Sequence, residues 1–359
     1  MTSDTPSSHG LLAWCRAGFE GELAAELGER AAAAGVVGYA RAQRGEGYAL
    51  FLLSEEDDGA TARSLQWREM IFARQLLRLR AELRDLDSRD RLTPVLDALG
   101  RILPRSGWGD VIVEHPDSDQ GRQLAALARG FGNALRPALK RNGWLSPQPV
   151  QTRARLHVGL LAGNHLLLAQ GDPAHCAAWP GGVPRLRMLR EAPSRSALKL
   201  EEALLVLLTA SERERWLQPG MRAADLGAAP GGWSWVLARE HLRVTAIDNG
   251  PLAESALATG LIEHLRADGF TWKPPKPLDW MVCDMVEQPI RVASRMATWL
   301  REGWCRQTVF NLKLPMKKRW EEVRRCLDLL QSESGGTLEL RARQLYHDRE
   351  EITVFARRL

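Results

Sequence analysis

Apolar and polar positions recur with two different periods along this chain, and the change from one to the other marks out its elements. A short apolar run, LLAWCR (11–16), precedes a helical pattern from Phe19 to about Ala34 in which Leu23 and Leu27 lie four apart. GVVGYARA (35–42) and GYALFLL (47–53) then read as two strands joined by a glycine-containing hairpin. SEEDDGA (54–60) is acidic and turn-prone and marks a break. Regular patterning resumes at FARQLLRLRAEL (72–83), with a helix predicted at TPVLDALGRI (93–102) and a strand at DVIVEHP (110–116). A helix from about Asp119 to Arg141 follows, then strands at RARLHVGLLAG (153–163) and NHLLLAQG (164–171).

Residues 172–190 are rich in Pro, Gly and Arg and read as a linker. From Ser196 onward the chain alternates strand and helix. A helix over about 197–215 leads to strand MRAADLGAA, a helix, strand RVTAID and a helix around 252–260. Strand DWMVCD, a helix, strand TVFNLKL and a helix at 317–333 come next, and strands at 338–345 and 351–357 close the series. This alternation predicts a parallel, doubly wound α/β sheet with ligands at the carboxyl ends of its strands. The last two strands follow one another without a helix, so one edge is expected to be antiparallel. A length of 359 residues calls for more than one domain.

Composition narrows the class. Hydrophobic residues make up 45% and charged residues 26%, as in a soluble globular protein. No apolar run approaches the ~20 residues needed to cross a bilayer, and MTSDTPSSHG lacks the basic start and apolar core of a secretory signal. Five scattered cysteines without a CxxC pair favour reduced thiols over disulfides or a zinc site. A cytoplasmic protein without a metal or a membrane partner is therefore expected. The net charge of +5 is unevenly spread: residues 1–100 sum to −4, residues 101–190 to +7, and residues 191–359 are near neutral. The basic middle fits either a phosphate-binding surface or a solvated face.

The strongest local motif is DLGAAPGGWS, from Asp225 to Ser234, which follows an apolar strand and opens a helix. Gly227, Gly231 and Gly232 let backbone approach a ligand, Pro230 fixes the turn beside Ala229, and Asp248 ends the next strand, where a carboxylate can accept both hydroxyls of a ribose. A dinucleotide site competes, but the pattern departs from GxGxxG. Asp225, ahead of the first glycine, would oppose a pyrophosphate and suit the positively charged end of S-adenosylmethionine. Asp268, in RADGF, is placed to accept from an adenine amino group, or is an exposed turn aspartate.

Lys199 in SRSALKLEE, Asp284 ending DWMVCD, Lys313 in FNLKLP and Glu351 in DREEITVF occur in the order and context of a Lys–Asp–Lys–Glu tetrad. On these motifs the C-terminal half resembles the ribose 2′-O-methyltransferase family typified by the heat-shock-linked large-subunit rRNA methyltransferase. APSRSALKLEEA, GWCRQTVFNLKLPMKKR and QLYHDREEITV extend the resemblance over most of residues 191–357. It implies a Rossmann-like fold, S-adenosylmethionine as cofactor, and Lys313 as general base. Asp284 and Lys199 would position that lysine and the substrate hydroxyl, and Glu351 would complete the cluster. Asp284, Ser196 and the Ala229–Gly232 turn would also touch the cofactor. Taken alone, Lys199 reads rather as a helix-surface lysine pairing with a glutamate, and Glu350 competes with Glu351. Lys313 is harder to dismiss, since an unpaired lysine between Leu312 and Leu314 would be costly.

Asp284-Met-Val-Glu stands where an amine-directed enzyme carries Asn-Pro-Pro-Tyr, and no cysteine follows a proline, as a cytosine-C5 enzyme would require. The resemblance further implies a cytidine ribose of 23S rRNA as target, on naked rRNA or an early assembly intermediate, and a monomer or weak dimer. Its implied organisation is a ferredoxin-like unit at 1–58, a THUMP-like RNA-binding domain at 59–171, the linker at 172–190 and the methyltransferase domain at 191–359. Arg153, Arg155, Arg185 and Arg187 are the candidate phosphate contacts, with Lys317, Lys318 and Arg319 beside the catalytic lysine. Two other readings stay open: methylation of another RNA or of a cap, and a cofactor-binding assembly factor without turnover.

Overall fold

The computed structural model describes residues 9–54, 60–102 and 107–359, so most of the acidic break expected at 54–60 lies outside the described residues. The chain divides into two compact units, Met1–Pro184 and Arg185–Leu359. Among the described residues each carries one seven-stranded sheet.

The first unit holds β1 (Gly10–Trp14), β2 (Gly38–Ala42), β3 (Tyr48–Leu53), β4 (Gln75–Leu83), β5 (Asp110–Glu114), β6 (Arg155–Ala162) and β7 (His165–Gly171). They lie in the order β2-β3-β1-β4-β7-β6-β5, antiparallel except for the β5–β6 pair. β1 is an interior strand and wholly buried, which suits its unbroken apolar run. β4 alternates instead: Leu77, Leu79, Ala81 and Leu83 are buried while Arg78, Arg80 and Glu82 are not, the period of two that one solvated face demands. Helices Leu92–Ile102 and Ala125–Arg141 lay Val95, Leu99, Leu135 and Leu139 against Leu156, Val158, Leu166 and Leu168. The single helix expected over 119–141 is two. Ser118 caps a short helix, Asp119–Gln123, by accepting from Gly121 N–H, and the chain restarts after Leu124.

The second unit holds β8 (Arg222–Leu226), β9 (Arg243–Ile247), β10 (Ile262–Leu265), β11 (Leu278–Cys283), β12 (Cys305–Lys313), β13 (Leu338–Arg343) and β14 (Glu351–Arg358), in the order β10-β9-β8-β11-β12-β14-β13. The strands from β10 to β12 are parallel, and β14 and β13 form the expected antiparallel edge. β8 pairs with β9 on one side and β11 on the other, so the chain leaves it in opposite directions and a crevice opens at the carboxyl ends of β8 and β11. The helix expected over 197–215 breaks into Ala197–Leu207 and Ala210–Trp216. Leu208 is extended, and Thr209 and Glu212 form a capping box. The helix expected at 252–260 is one turn, Glu254–Leu257, and the one expected from residue 317 starts at Arg319, leaving Lys317 and Lys318 ahead of it.

Candidate active site

The carboxyl ends of β8, β9, β11 and β12 lie together at one end of the second sheet. β12 and β14 are paired so that Lys313 lies directly opposite Glu351 and, one step along the same face, Asn311 opposite Thr353. Asp284 is the first residue past β11, and Cys283 pairs with Phe310. Lys199 reaches in from the helix Ala197–Leu207.

These four side chains close into a ring. Lys313 Nζ donates to Asp284 Oδ1 at 2.6 Å and to Glu351 Oε2. Lys199 Nζ donates to Asp284 Oδ2 at 3.2 Å and pairs with Glu351 Oε1. Each carboxylate therefore holds both lysines, and each lysine both carboxylates. Glu350, the competitor of Glu351, instead pairs with Arg319 at 2.5 Å and is exposed. Burial by itself would depress the Lys313 ammonium, but the charges and hydrogen bonds of Asp284 and Glu351 outweigh it and set its pKa above the ordinary lysine value. Lys313 thus rests as an ammonium, the state the carboxylates favour.

Beside the ring lies the glycine loop. Gly227 and Gly231 have positive φ, and a Cβ on Gly227 would strike the Met285 side chain. A Cβ on Gly232 would run into Ser196 Oγ, which is 2.6 Å from Ser194 Oγ, so the missing side chain lets Ser196 seat over the helix Gly232–Arg239. Asp248 receives Ala229 N–H at 2.9 Å and Gly250 N–H at 2.7 Å, one on each carboxylate oxygen, which leaves lone pairs on both for further donors. The bond between Ala229 and Pro230 is cis. Asp225 is sunk to 1% exposure and accepts from Ser234 Oγ at 2.7 Å. Burial pushes its carboxyl up to about 7, against the lowering pull of Ser234, with Asp284 and Asp248 adding to the rise. Asp268 is an exposed turn aspartate whose Oδ1 accepts from Phe270 N–H. Its neighbour Gly269 packs on Met285 and Leu226, which puts the turn at the same end of the sheet.

Of the candidate RNA contacts, Arg153 and Arg155 belong to the first unit and the others to the second. Arg153 is exposed in the first unit, while Arg155 is committed to the fold through Ala178 O and Cys176 Sγ. Arg185, Arg187, Lys317 and Lys318 are exposed. Among the described residues no helix is long and apolar enough to cross a membrane, and no group of His, Cys, Asp or Glu could hold a metal ion.

Comparison with known proteins follows the same division. Residues 8–77 match the family described as RlmM ferredoxin-like domain, residues 90–170 match "Ribosomal RNA large subunit methyltransferase M, N-terminal", and residues 192–301 match FtsJ-like methyltransferase. Over 349 residues the chain is 64% identical to the ribosomal RNA large subunit methyltransferase M of Xanthomonas campestris pv. campestris strain B100, covering 97% of this chain and 99% of that protein. The chain belongs to this methyltransferase M family. The protein of the same description from Xanthomonas oryzae pv. oryzae strain MAFF 311018 is 63% identical with the same coverage. The protein is accordingly a methyltransferase, with a ferredoxin-like domain in its N-terminal half and an FtsJ-like methyltransferase domain in its C-terminal half.

Sequence reasoning missed the polar residues behind the ring. Asn311 donates to Asp284 Oδ1 at 3.0 Å and accepts from Thr353 Oγ1 at 2.8 Å. Asn311 lies two residues before Lys313 and Thr353 two after Glu351, so a strand register would have shown them on one face.

Proposed function

We propose that this protein transfers a methyl group from S-adenosylmethionine to the ribose 2′-hydroxyl of a cytidine in 23S rRNA. The observation that carries this reading is the closed Lys199–Asp284–Lys313–Glu351 ring beside a glycine loop at the switch point of the sheet. The rRNA substrate is supported by the name of the 64% identical relative.

The residues present fit the cofactor. Asp248 would take its ribose hydroxyls, and Ser196, Gly227, Ala229, Pro230, Gly231 and Gly232 would border it, with Asp268 toward the adenine. Asp225, buried on Ser234, would support the loop from beneath. Bound there, the cofactor supplies an electrophilic methyl group. A ribose hydroxyl is a weak nucleophile, so the chain must orient it and take its proton. Lys313 Nζ would accept that proton after losing its own, while Lys199 and Asp284 hold the hydroxyl and the lysine in place. Glu351 fixes both lysines through the β12–β14 register.

RNA binding is assigned to the N-terminal half, divided as a ferredoxin-like unit at 1–58 and a THUMP-like domain at 59–171, with a linker at 172–190 before the catalytic domain at 191–359. Lys313→Ala is expected to bind S-adenosylmethionine within about threefold of wild type by calorimetry. Its transfer of labelled methyl to 23S rRNA should fall by about a hundredfold or more; transfer at the wild-type rate would remove Lys313 as base. Reversing the charge at Arg153 should weaken RNA binding and lower its salt slope by about one. Unchanged binding would take that residue out of the interface.

A further inference from the structure

Behind the ring a second polar chain runs from β12 across β14 to the loop between β13 and β14. Asn311, Thr353 and Asp348 are each fully buried. Asn311 Nδ2 lies 3.0 Å from Asp284 Oδ1, Asn311 Oδ1 lies 2.8 Å from Thr353 Oγ1, and Thr353 Oγ1 lies 3.1 and 3.0 Å from Asp348 Oδ1 and Oδ2. Leu345 N–H donates to Asp348 Oδ2 at 2.9 Å.

The direction of every bond follows from one end. Asp284 faces two ammonium groups and is a carboxylate, so Asn311 must offer it the amide N–H. The Asn311 oxygen then faces Thr353, whose hydroxyl has one proton and must give it to that oxygen. Thr353 has only lone pairs left to turn toward Asp348, and an ionised carboxylate would repel them. A protonated Asp348 satisfies all three residues at once.

Resting on the tetrad reading, we propose that Asp348 is a positioning residue of the ring: held as a neutral acid, it donates to Thr353 and so, through Thr353 and Asn311, anchors Asp284 against Lys313. The electrostatics agree. Burial is the main cause pushing the Asp348 carboxyl up to about 8, and the charges of Glu351 and Glu202 act the same way, against Leu345 N–H and Lys199. Glu351 faces it from β14, Lys199 and Glu202 from the helix Ala197–Leu207, and His347, hydrogen-bonded to Glu202 at 2.6 Å, from its own loop. Ionising Asp348 would turn the Thr353 proton away from Asn311, orphan the Asn311 oxygen and set a third negative charge behind the two of the ring.

The test is single-turnover methyl transfer against pH by the full chain, as wild type, Asp348→Asn and Asp348→Ala. Asparagine reproduces the neutral acid, with an N–H for Thr353 and an oxygen for Leu345. It should keep the neutral-pH rate within about threefold, while alanine loses about tenfold or more in kcat with cofactor KM unchanged. Above pH ~8 the wild type should fall below the Asp348→Asn curve, by about tenfold one unit past the midpoint. Superimposed wild-type and Asp348→Asn profiles, or Asp348→Asn as impaired as alanine, would overturn the proposal. An infrared carbonyl band of a protonated carboxyl, present in wild type at pH 7 and lost in Asp348→Asn, reads the neutral acid without any turnover; no difference between the two spectra overturns it. Lys313→Ala separates the two readings. If that variant transfers at the wild-type rate, the tetrad reading fails and takes the positioning role with it. If it is inactive and the profiles still superimpose, the proposal alone is wrong.

Discussion

Asp225 and Lys313 are both pushed upward in pKa, but by different causes. For Asp225 burial dominates, and a carboxyl raised to about 7 is a proton-holding group in the folded chain that the unfolded chain would lose near pH ~4. Its contribution to stability is complete below pH ~4 and is lost as pH rises toward 7. Asp225→Asn, which keeps an oxygen for Ser234, should therefore show a shallower fall in Tm between pH 5 and pH 7 than wild type. Parallel Tm curves would mean that Asp225 is ionised in the fold. For Lys313 the paired carboxylates dominate, so the methyl-transfer rate should climb with pH below ~8 as the ammonium gives up its proton. Lys313 was legible in the sequence because Leu312 and Leu314 flank it and a lysine in such a run needs partners. Asp348 was not, because nothing in LYHDREE says that its carboxyl turns inward to Thr353.

Elements were readable wherever one period ran unbroken, as in β1, β12 and the helix Glu20–Ala33. They were misread where apolar residues bridged a real break. Leu207, Leu208, Trp216 and Leu217 prolong the helical pattern past Leu207, yet Thr-Ala-Ser-Glu at 209–212 is a capping-box signature inside it. Thr209 Oγ1 accepts Glu212 N–H at 3.3 Å and Glu212 accepts Thr209 N–H at 2.7 Å. Arg341 of β13 grips the same glutamate with both guanidinium nitrogens, at 2.7 and 2.6 Å, and its hydrogen bonds lead the causes that pull the Glu212 carboxyl down to about 2. Thr209→Ala should cost about 1 kcal/mol, a Tm drop of about 2–4 °C, without touching cofactor affinity. A neutral Tm would show that Arg341 alone sets the start of that helix.

At the scale of the molecule, each unit closes its own core: Leu156, Val158 and Leu168 centre one, Trp280, Val282 and Phe355 another. The stretch that opens the second unit exposes Arg185, Arg187 and Arg190. Brief trypsin treatment should cut there first and release two resistant fragments; scattered early cleavage would contradict two self-contained cores. The composition shift at 172–190 was visible in the sequence, whereas the strand order was not, because pairing partners far apart in sequence leave no local pattern. That order has a consequence for how the enzyme is made. β14 emerges from the ribosome after every other described strand, yet its place is between β12 and β13. Synthesis therefore delivers Lys199, Asp284 and Lys313 well ahead of Glu351, so a nascent chain stalled before residue 351 holds two lysines against a single carboxylate. The ring closes only once β14 has taken its place between β12 and β13.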